Sequence, residues 1–303
     1  MLMDRNSGNV DGEGSGSNQG PAFSVIIPVY RDWYRLAACL DALAGQTLGQ
    51  DEFEIIIADN EPGHEFTIPP IPCNAKIVVA GEPGSYNARN AAIAVARGRY
   101  LAFTDSDCVP DPNWLANARL AVEGQPLARH TGPIPIFREQ AGCYYAYLYE
   151  YHTAFRQREI ALEGISATAN LIVSKAQFDK VGPFDTILLS GGDYVWSRRA
   201  EEANVPLVYH GDIVVRHPAR VSIKAILAKK RRTSGSEAIF KKTSLWRYSR
   251  YRLMPKLNAI TFDRGTVSIT DKVVLLGISW LKDIHGCIAF TTVRLGLSKP
   301  HRS

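Results

Sequence analysis

The chain has 303 residues, of which 46% are hydrophobic and 21% are charged, and its formal net charge is +5. A chain of this length and apolar content can bury a large core, which excludes a wholly disordered protein. Its five cysteines are scattered and show no paired spacing of the zinc or thioredoxin type, so we expect reduced thiols in a cytosol.

The first twenty residues are rich in Gly, Ser, Asn and Asp and contain almost nothing apolar. Such a segment cannot offset the entropy lost on ordering, so we expect residues 1–20 to form a disordered tail. The segment also lacks the basic flank and apolar run of a signal peptide, which favours a cytoplasmic protein.

The first half of the chain alternates apolar runs with helical patterns. Helical spacing of apolar residues predicts helices at 33–44 and 85–96. Four short apolar runs predict strands buried in a sheet, at 23–29, 54–58, 75–79 and 100–104. This alternation predicts an α/β domain in which a parallel sheet has helices on both faces.

Polar side chains follow three of these predicted strands. Tyr30 follows the first strand, Asp59 the second, and Asp105 and Asp107 the fourth. Because ligands of such sheets bind at the carboxyl ends of the strands, we expect these residues to line one crevice. Polar caps and turns would account for any one of them taken alone.

The second half of the chain has a less regular pattern. It predicts helices at 175–181 and 193–203, and strands at 167–174, 207–209 and 213–215, the last ending near His217.

Residues 273–297 contain apolar stretches that Lys282, Asp283 and His285 interrupt. These polar residues argue against a membrane-spanning helix. We expect an amphipathic helical pair that either packs on the rest of the domain or lies on a membrane surface.

Basic residues concentrate between positions 216 and 252, where they include the run Lys229-Lys230-Arg231-Arg232. Such a patch can face phosphates or an anionic membrane surface, and a solvated helix face is the alternative. The run has no interleaved aromatic residues and belongs to no recognisable nucleic-acid-binding module, so we expect no nucleic-acid partner.

Asp105 and Asp107 are separated by one residue directly after the fourth predicted strand. Two carboxylates in a tight loop can hold a divalent cation and the ribose or diphosphate of a nucleotide. Hard oxygen ligands favour Mg or Mn over zinc. Acidic pairs of this spacing are common in turns, so the motif gains its weight from the strand before it and from VPDPNWL after it.

Four stretches resemble family 2 of the inverting glycosyltransferases: VIIPVYR, EIIIADN, GSYNARNAAIAVARGRYLAFTDSDCVPDPNWL and GGDYVWSRRA. They cover most of residues 23–217 in the family's order and spacing. The resemblance implies the GT-A fold, with a Rossmann-like, mixed, mostly parallel sheet flanked by helices. It further implies two regions after the tail at 1–20. The first is a catalytic domain at 21–220, with a nucleotide-sugar half at 21–115 and an acceptor half at 116–220. The second is a mobile basic segment with a helical extension at 221–303.

The resemblance also implies roles for individual residues in binding the donor. Pro28 and Tyr30 match the strand end that cradles the nucleobase, and Asp59 matches the acid that reads the base, typically uracil. Arg89 matches a donor-binding arginine. A turn residue is the alternative role for Asp59, and a helix-surface salt bridge is the alternative for Arg89.

Asp105 and Asp107 match the family's motif for metal and nucleotide sugar, with Asp107 the more direct metal ligand. His217 resembles a histidine that joins the metal or diphosphate in some members, or it is a histidine of an exposed loop. Residues 229–238 resemble a mobile segment that closes over the donor, in which Arg231 and Arg232 would contact phosphate.

Asp193 matches the catalytic base, a role compatible with the alternative of a helix N-cap. The chain departs from the family's pattern at two positions. The family usually has Asn where this chain has Arg31, and many members have Glu where this chain has Gly192.

The resemblance thus implies a metal-dependent, inverting enzyme. It would move a sugar from a nucleotide-diphosphate sugar, with UDP favoured, to a hydroxyl of a carbohydrate or glycolipid acceptor, in surface polysaccharide or glycolipid assembly. The basic and apolar C-terminal region would make peripheral membrane contact at the inner face of the cell membrane. Acceptor specificity would lie near residues 131–165, whose tyrosines either stack on sugars or form a core stripe.

Sequence features bear on three other functions. A nucleotidyltransferase is disfavoured because PVYR, rather than a glycine-rich loop, follows the first strand. Dinucleotide binding is excluded because no G-x-G-x-x-G follows that strand. A non-catalytic protein that binds nucleotide sugars or carbohydrates with the same fold remains open.

Overall fold

A computed structural model describes residues 20–299, except 62, 64–66, 242, 251, 255–257 and 259. All but the last residue of the expected disordered tail therefore lies outside the described residues. The described residues form ten strands: β1 (Phe23–Val29), β2 (Phe53–Asp59), β3 (Ala75–Val79), β4 (Tyr100–Phe103), β5 (Val109–Pro110), β6 (Arg129–Thr131), β7 (Ile136–Phe137), β8 (Leu171–Ser174), β9 (Leu207–Tyr209) and β10 (Val215–Pro218).

The described α-helices surround these strands. In chain order they are α1 (Trp33–Ala44), α2 (Ser85–Ala94), α3 (Trp114–Gly124), α4 (Tyr144–Thr153), α5 (Gln157–Ala161), α6 (Lys175–Val181), α7 (Gly192–Glu202), α8 (Ile223–Phe240), α9 (Leu245–Arg250) and α10 (Ile269–Arg294).

The central sheet has seven strands in the order β3-β2-β1-β4-β8-β6-β9. Strand β8 runs antiparallel to both of its neighbours, and the other pairs are parallel. The predicted mixed, mostly parallel sheet is therefore confirmed. A smaller sheet has the order β5-β10-β7.

The strand register brings the polar residues to one edge of the sheet. Val29 at the end of β1 pairs with Asp59 at the end of β2, and Phe103 of β4 lies opposite Ile26. Asp105 therefore reaches the level at which β1 ends. This edge is where ligands of parallel α/β sheets bind.

Side chains of β1 alternate between two hydrophobic cores, one on each face of the sheet. Val25 and Ile27 pack in the core that contains α1 and α3, while Ile26 packs in the core that contains α2 and α7. Burial on both faces explains why the strand is a continuous apolar run in the sequence.

The predicted strand at 167–174 is correct only in its second half. Residues Thr168–Asn170 form a 3₁₀ helix before β8 begins. The side chain of Asn170 stabilises this turn, because it accepts a bond from Trp114 Nε1 at 3.0 Å and donates to the Ile213 carbonyl at 2.7 Å.

Two further boundaries differ from the sequence prediction. The strand expected at 213–215 is β10, so His217 lies within a strand and is buried rather than exposed in a loop. Helix α7 has Gly191 as its N-cap, with a φ of 80°, so Asp193 lies in the first turn and is not the cap.

The C-terminal region is helical, as the predicted extension requires. The pair of helices predicted at 273–297 was wrong, because α10 is one continuous helix. It packs mainly along α8, and Phe290 stacks on Tyr248 of α9 with ring centres 3.6 Å apart. Among the described helices, α10 alone is long and apolar enough to cross a membrane, a test that core helices also pass.

Candidate functional site

An open crevice of about 360 Å³ lies at the carboxyl ends of β1 and β4. It brings together most of the predicted site residues: Pro28, Tyr30, Arg89, Asp105, Asp107, Asp193, His217 and Arg232. Two predicted donor residues, Asp59 and Arg231, do not line it. We call this space the carboxylate crevice.

The two predicted residues outside the crevice have different positions. Asp59 ends β2, one strand away, and its Oδ1 accepts a hydrogen bond from the Glu61 backbone N–H at 2.9 Å, as a turn residue would. Arg231 is exposed on α8, whereas the next residue, Arg232, faces the crevice. The basic stretch 229–238 forms part of α8.

Arg89 holds Asp105 in place. The guanidinium of Arg89 forms an ion pair with Oδ1 of Asp105 and lies 5.5 Å from the ring centre of Tyr86. Arg89 is only 3% exposed, so the alternative of a helix-surface salt bridge does not fit. The buried guanidinium of Arg89 thus fixes the position of Asp105 and offsets part of its negative charge.

Asp107 and His217 form the second part of the acidic site. His217 Nε2 lies 3.6 Å from Oδ1 of Asp107, and His217 Nδ1 lies 2.6 Å from the Pro218 carbonyl oxygen. That carbonyl can only accept a hydrogen bond, so it fixes the proton on Nδ1. The Nε2 lone pair is then left facing Asp107, where it can bind a cation.

These residues make a donor set for a divalent cation. One potential ligand atom from each of Asp105, Asp107, Cys108 and His217 lies within 4.8 Å of the others. Burial, with Asp107 and Asp105 nearby, raises the pKa of the Cys108 thiol, so it stays protonated and is a poor ligand. Two carboxylates and one imidazole remain, a set that suits Mn or Mg.

Asp193 lies on the opposite wall, in the first turn of α7. Its Oδ1 accepts hydrogen bonds from Tyr86 Oη at 3.2 Å and from the Tyr194 backbone N–H at 2.9 Å. Burial raises the pKa of Asp193, against the opposing effects of these bonds and of Arg89. A carboxylate with a raised pKa accepts a proton more readily, as a general base must.

Gly192 allows this arrangement. A Cβ atom built at Gly192 would lie 2.7 Å from Cε2 of Tyr86, closer than real Cβ contacts occur. Tyr86 therefore occupies the space beside residue 192, and any side chain at that position would collide with its ring.

Two cationic residues of the crevice were not singled out from the sequence. The Arg220 backbone N–H donates to Oε2 of Glu150 at 2.7 Å, and its guanidinium pairs with Oε1 of the same carboxylate. Lys229 Nζ lies 5.4 Å from the Phe155 ring centre. Burial lowers the pKa of Lys229 to about 8, and the nearby Arg220 adds to this effect.

A second cavity of about 320 Å³ adjoins the crevice and shares Asp193 and Lys229 with it. The rings of Tyr194 and Phe240 stack in its wall at 6.3 Å between centres. Glu237 also lines it and pairs with Lys241 at 2.9 Å. We call it the α8 cavity. Asp193 thus lines two neighbouring spaces.

Comparisons of sequence identify relatives of this chain. The family model described as Glycosyl transferase family 2 matches residues 24–129. Glycosyltransferase AglE of Haloferax volcanii is 34% identical over 209 residues, which are 66% of this chain and 68% of that protein. The poly(ribitol-phosphate) beta-glucosyltransferase of Bacillus spizizenii is 32% identical over 93 residues, 28% of this chain and 14% of that protein.

Comparisons of structure identify the fold. S. aureus TarS 1-349 in complex with UDP-GlcNAc has a TM-score of 0.52 at 17% identity, covering 90% of this chain and 92% of that one. GalNAc-T7 with UDP, GalNAc and Mn2+ has a TM-score of 0.53 at 15% identity, and the match covers 66% of this chain and 44% of that one. The shared architecture is the GT-A fold.

Proposed function

The chain belongs to glycosyltransferase family 2, and from that membership we propose that it transfers a sugar from a UDP-sugar to an acceptor hydroxyl with inversion. The observation that carries this proposal is the position of Asp193. Asp193 lines both the carboxylate crevice, which contains the acidic cation site, and the α8 cavity, to which we assign the acceptor. An inverting transfer needs a base with access to both substrates.

The crevice suits the nucleotide part of the donor. We assign Pro28 and Tyr30 to the nucleoside, because they line the crevice where β1 ends. Asp59 is assigned to the base from the neighbouring strand end, level with Val29. The solved relatives that bind UDP or UDP-GlcNAc support a uridine nucleotide.

Cationic residues at the other side suit the diphosphate. Lys229 and Arg232 both line the crevice from α8, and Arg89 lines it from α2. Charge-assisted hydrogen bonds to phosphate oxygens are the expected contacts. Arg231 is exposed and does not line the crevice. Its contact with phosphate stays a prediction, because it would require α8, within the proposed mobile region 221–303, to move over the donor.

Asp107 and His217 would hold a Mn or Mg ion, with Asp105 contributing from its ion pair with Arg89. A bound divalent cation would neutralise charge that develops on the diphosphate as it leaves. The presence of an imidazole beside the carboxylates favours Mn over Mg.

The proposed reaction is a single displacement. Asp193 removes the proton of the acceptor hydroxyl while the hydroxyl oxygen forms a bond to the anomeric carbon. The bond between that carbon and the diphosphate oxygen breaks, and its electron pair leaves with UDP. Because the new bond forms on the face opposite the leaving group, the anomeric configuration inverts. Tyr86 orients Asp193 through its hydroxyl.

We also propose a cytoplasmic protein with peripheral membrane contact, acting in surface polysaccharide or glycolipid assembly. Support comes from the exposed apolar side chains of α10, among them Ile269, Val273 and Ile288, beside the basic residues Lys272 and Arg294. Apolar residues flanked by cations suit a membrane surface with anionic lipids.

Calorimetric titration tests the donor assignment. UDP-, GDP-, CDP- and dTDP-sugars are titrated with and without Mn into the wild-type protein and the Asp107→Ala variant. We expect Mn-dependent binding of UDP-sugars that Asp107→Ala removes. The control variant Asp179→Ala, which removes an exposed carboxylate on α6, should bind like the wild type. If wild-type protein binds no nucleotide sugar, the proposed function is wrong, and donor binding without transfer would favour a non-catalytic protein.

A further inference from the structure

A third cavity, of about 170 Å³, lies among α4, α8 and α10. Three lysines line it, two from α8 and one from α10: Lys229, Lys230 and Lys282. Tyr149, Glu150 and Thr233 are other polar residues of its lining. We call this cavity the lysine pocket.

The residues that line the lysine pocket carry three ammonium groups and one carboxylate. Its one lining carboxylate, Glu150, is already paired with Arg220. Lys282 Nζ donates to Tyr149 Oη at 2.7 Å and lies 3.9 Å from Asp283. Within the described part of the chain, neither Lys229 nor Lys230 forms a salt bridge within 4.0 Å.

Burying ammonium groups without an anionic partner carries an unfavourable desolvation free energy, which a bound anion would offset. Burial lowers the pKa of both Lys229 and Lys230 to about 8. Neighbouring charges act in both directions. Arg220 adds to the effect on Lys229, and Glu150 opposes it. For Lys230, Glu237 opposes the effect and Arg252 adds to it. A phosphate group would offset this repulsion and accept several charge-assisted hydrogen bonds.

The backbone of α10 makes room for Lys230. A Cβ atom at Gly286 would lie 2.5 Å from Cε of Lys230 and 2.9 Å from Oγ of Ser234. Glycine at this position therefore lets the lysine side chain pass between the two helices. The pocket depends on this close approach of α8 and α10.

The lysine pocket adjoins the proposed reaction centre. Lys229 lines the carboxylate crevice, the α8 cavity and the lysine pocket, and Thr233 lines the last two. A ligand held in the lysine pocket would therefore lie next to the cavity that Asp193 lines. The donor diphosphate is assigned to the crevice, so the pocket is available to the other substrate.

We propose that the lysine pocket binds a phosphate group of the acceptor, so that the acceptor is a phosphorylated carbohydrate or a sugar joined to its carrier through phosphate. This inference rests on the proposed function, because it assigns the α8 cavity to the acceptor. Lys230 and Lys282 bind the phosphate, and Lys229 lies between it and the donor.

The test measures binding of inorganic phosphate and pyrophosphate by calorimetry, at constant ionic strength, with the crevice first saturated with UDP and Mg. We expect wild-type protein to bind them and Lys230→Gln to bind at least tenfold more weakly, since the lost contacts are charge-assisted. Lys230→Arg should retain most of the affinity. Lys224→Gln, which removes an exposed lysine of the same helix, should bind like the wild type.

Two further arms identify the source of the phosphate. One uses a soluble sugar 1-phosphate, and the other uses phosphatidylcholine vesicles with or without polyprenyl phosphate. Binding in either arm that Lys230→Gln weakens supports the proposal and shows which carrier is used. Wild-type protein that binds UDP but none of the phosphate probes overturns it, as does equal binding by Lys230→Gln. Failure to bind UDP would instead count against the proposed function.

Discussion

The hydroxyl of Tyr86 lies 3.2 Å from Oδ1 of Asp193, while the ring of Tyr86 fills the space beside the preceding Gly192. Tyr86 therefore acts on the proposed base in two ways, by donating a hydrogen bond and by excluding a side chain from position 192. The same ring stacks near the Arg89 guanidinium that binds Asp105. Tyr86 thus links the two acidic walls of the crevice.

Replacing Asp193 by Asn removes the proposed base and preserves its shape. We expect the rate of transfer to fall by about 10² to 10⁴, with donor affinity close to normal. Burial raises the pKa of Asp193, so above that pKa the ionised carboxylate lowers the free energy of unfolding. The neutral amide of Asn carries no such charge, so the variant should not have a lower unfolding temperature. Kinetics and thermal unfolding check both effects. Near-normal turnover would show that Asp193 is not the base.

The Tyr86→Phe variant should shift the pH dependence of the reaction. Activity requires ionised Asp193, so it is lost as pH falls through the Asp193 pKa, which burial raises. The Tyr86 hydrogen bond stabilises the carboxylate, and its loss should move the acidic limb to higher pH. A pH profile of kcat measures this. Tyr34→Phe changes an exposed residue of α1 and should leave the acidic limb of the kcat profile unchanged. If the acidic limb of Tyr86→Phe also stays in place, the Tyr86 hydrogen bond does not set the pKa of Asp193.

The Gly192→Ala variant tests the steric part of the arrangement. The added methyl would collide with the Tyr86 ring at 2.7 Å, so we expect the ring to move and its bond to Asp193 to break. The predicted result is a tenfold or larger drop in kcat with Mn-dependent UDP binding retained. Gly211→Ala, where an added Cβ meets nothing within 4 Å, is the matched control. Wild-type kcat in Gly192→Ala would contradict the account.

The Trp114→Phe variant tests how the wall of the crevice is held. Trp114 Nε1 donates to Asn170 Oδ1, and both side chains are fully buried. The change leaves the Asn170 oxygen without this donor, so we expect a loss of about 1–3 kcal/mol in the free energy of unfolding. Trp246→Phe, at a residue 66% exposed, should change it by less than about 0.5 kcal/mol. Chemical denaturation measures both, and equal stabilities would contradict the assignment.

The Gly286→Ala variant tests the lysine pocket through its far wall. The new methyl would press on Cε of Lys230 and on the buried Oγ of Ser234, so we expect weaker phosphate binding together with some loss of stability. Mg-dependent UDP binding should be unchanged. Gly277→Ala lies on the same helix and meets nothing within 4 Å, so its phosphate affinity should match the wild type. Equal phosphate binding by the two variants would count against the pocket.

The sequence predicted the first half of the fold well because its strands are buried on both faces. Such strands, for example β1 and β2, appear as continuous apolar runs, and their register sets where Asp59 and Asp105 lie. The turn at Asn170 could not be predicted in this way, since it depends on a hydrogen bond from Trp114, 56 residues earlier.

The polar residues of α10 misled the sequence interpretation for a similar reason. Lys282 interrupts the apolar pattern, which suggested two helices. In the structure its side chain donates a hydrogen bond to Tyr149 of α4, and the helix continues past it. The contribution of Arg220 to the site was also missed, and Lys229 was predicted only as part of the basic run. The positions of both depend on Glu150, which pairs with Arg220 just after β10 and lies near Lys229 of α8, a long-range relationship that no local pattern contains.

The central claim, inversion with Asp193 as base, is tested most directly by proton NMR of UDP-sugar cleavage with water as the acceptor. The first sugar signal to appear, before mutarotation, reports the anomeric configuration of the product. We predict the configuration opposite to that of the donor, formed in the presence of Mn by the wild type and at a rate at least 100-fold lower by Asp193→Asn. Retained configuration, or equal rates for the two proteins, would contradict the mechanism.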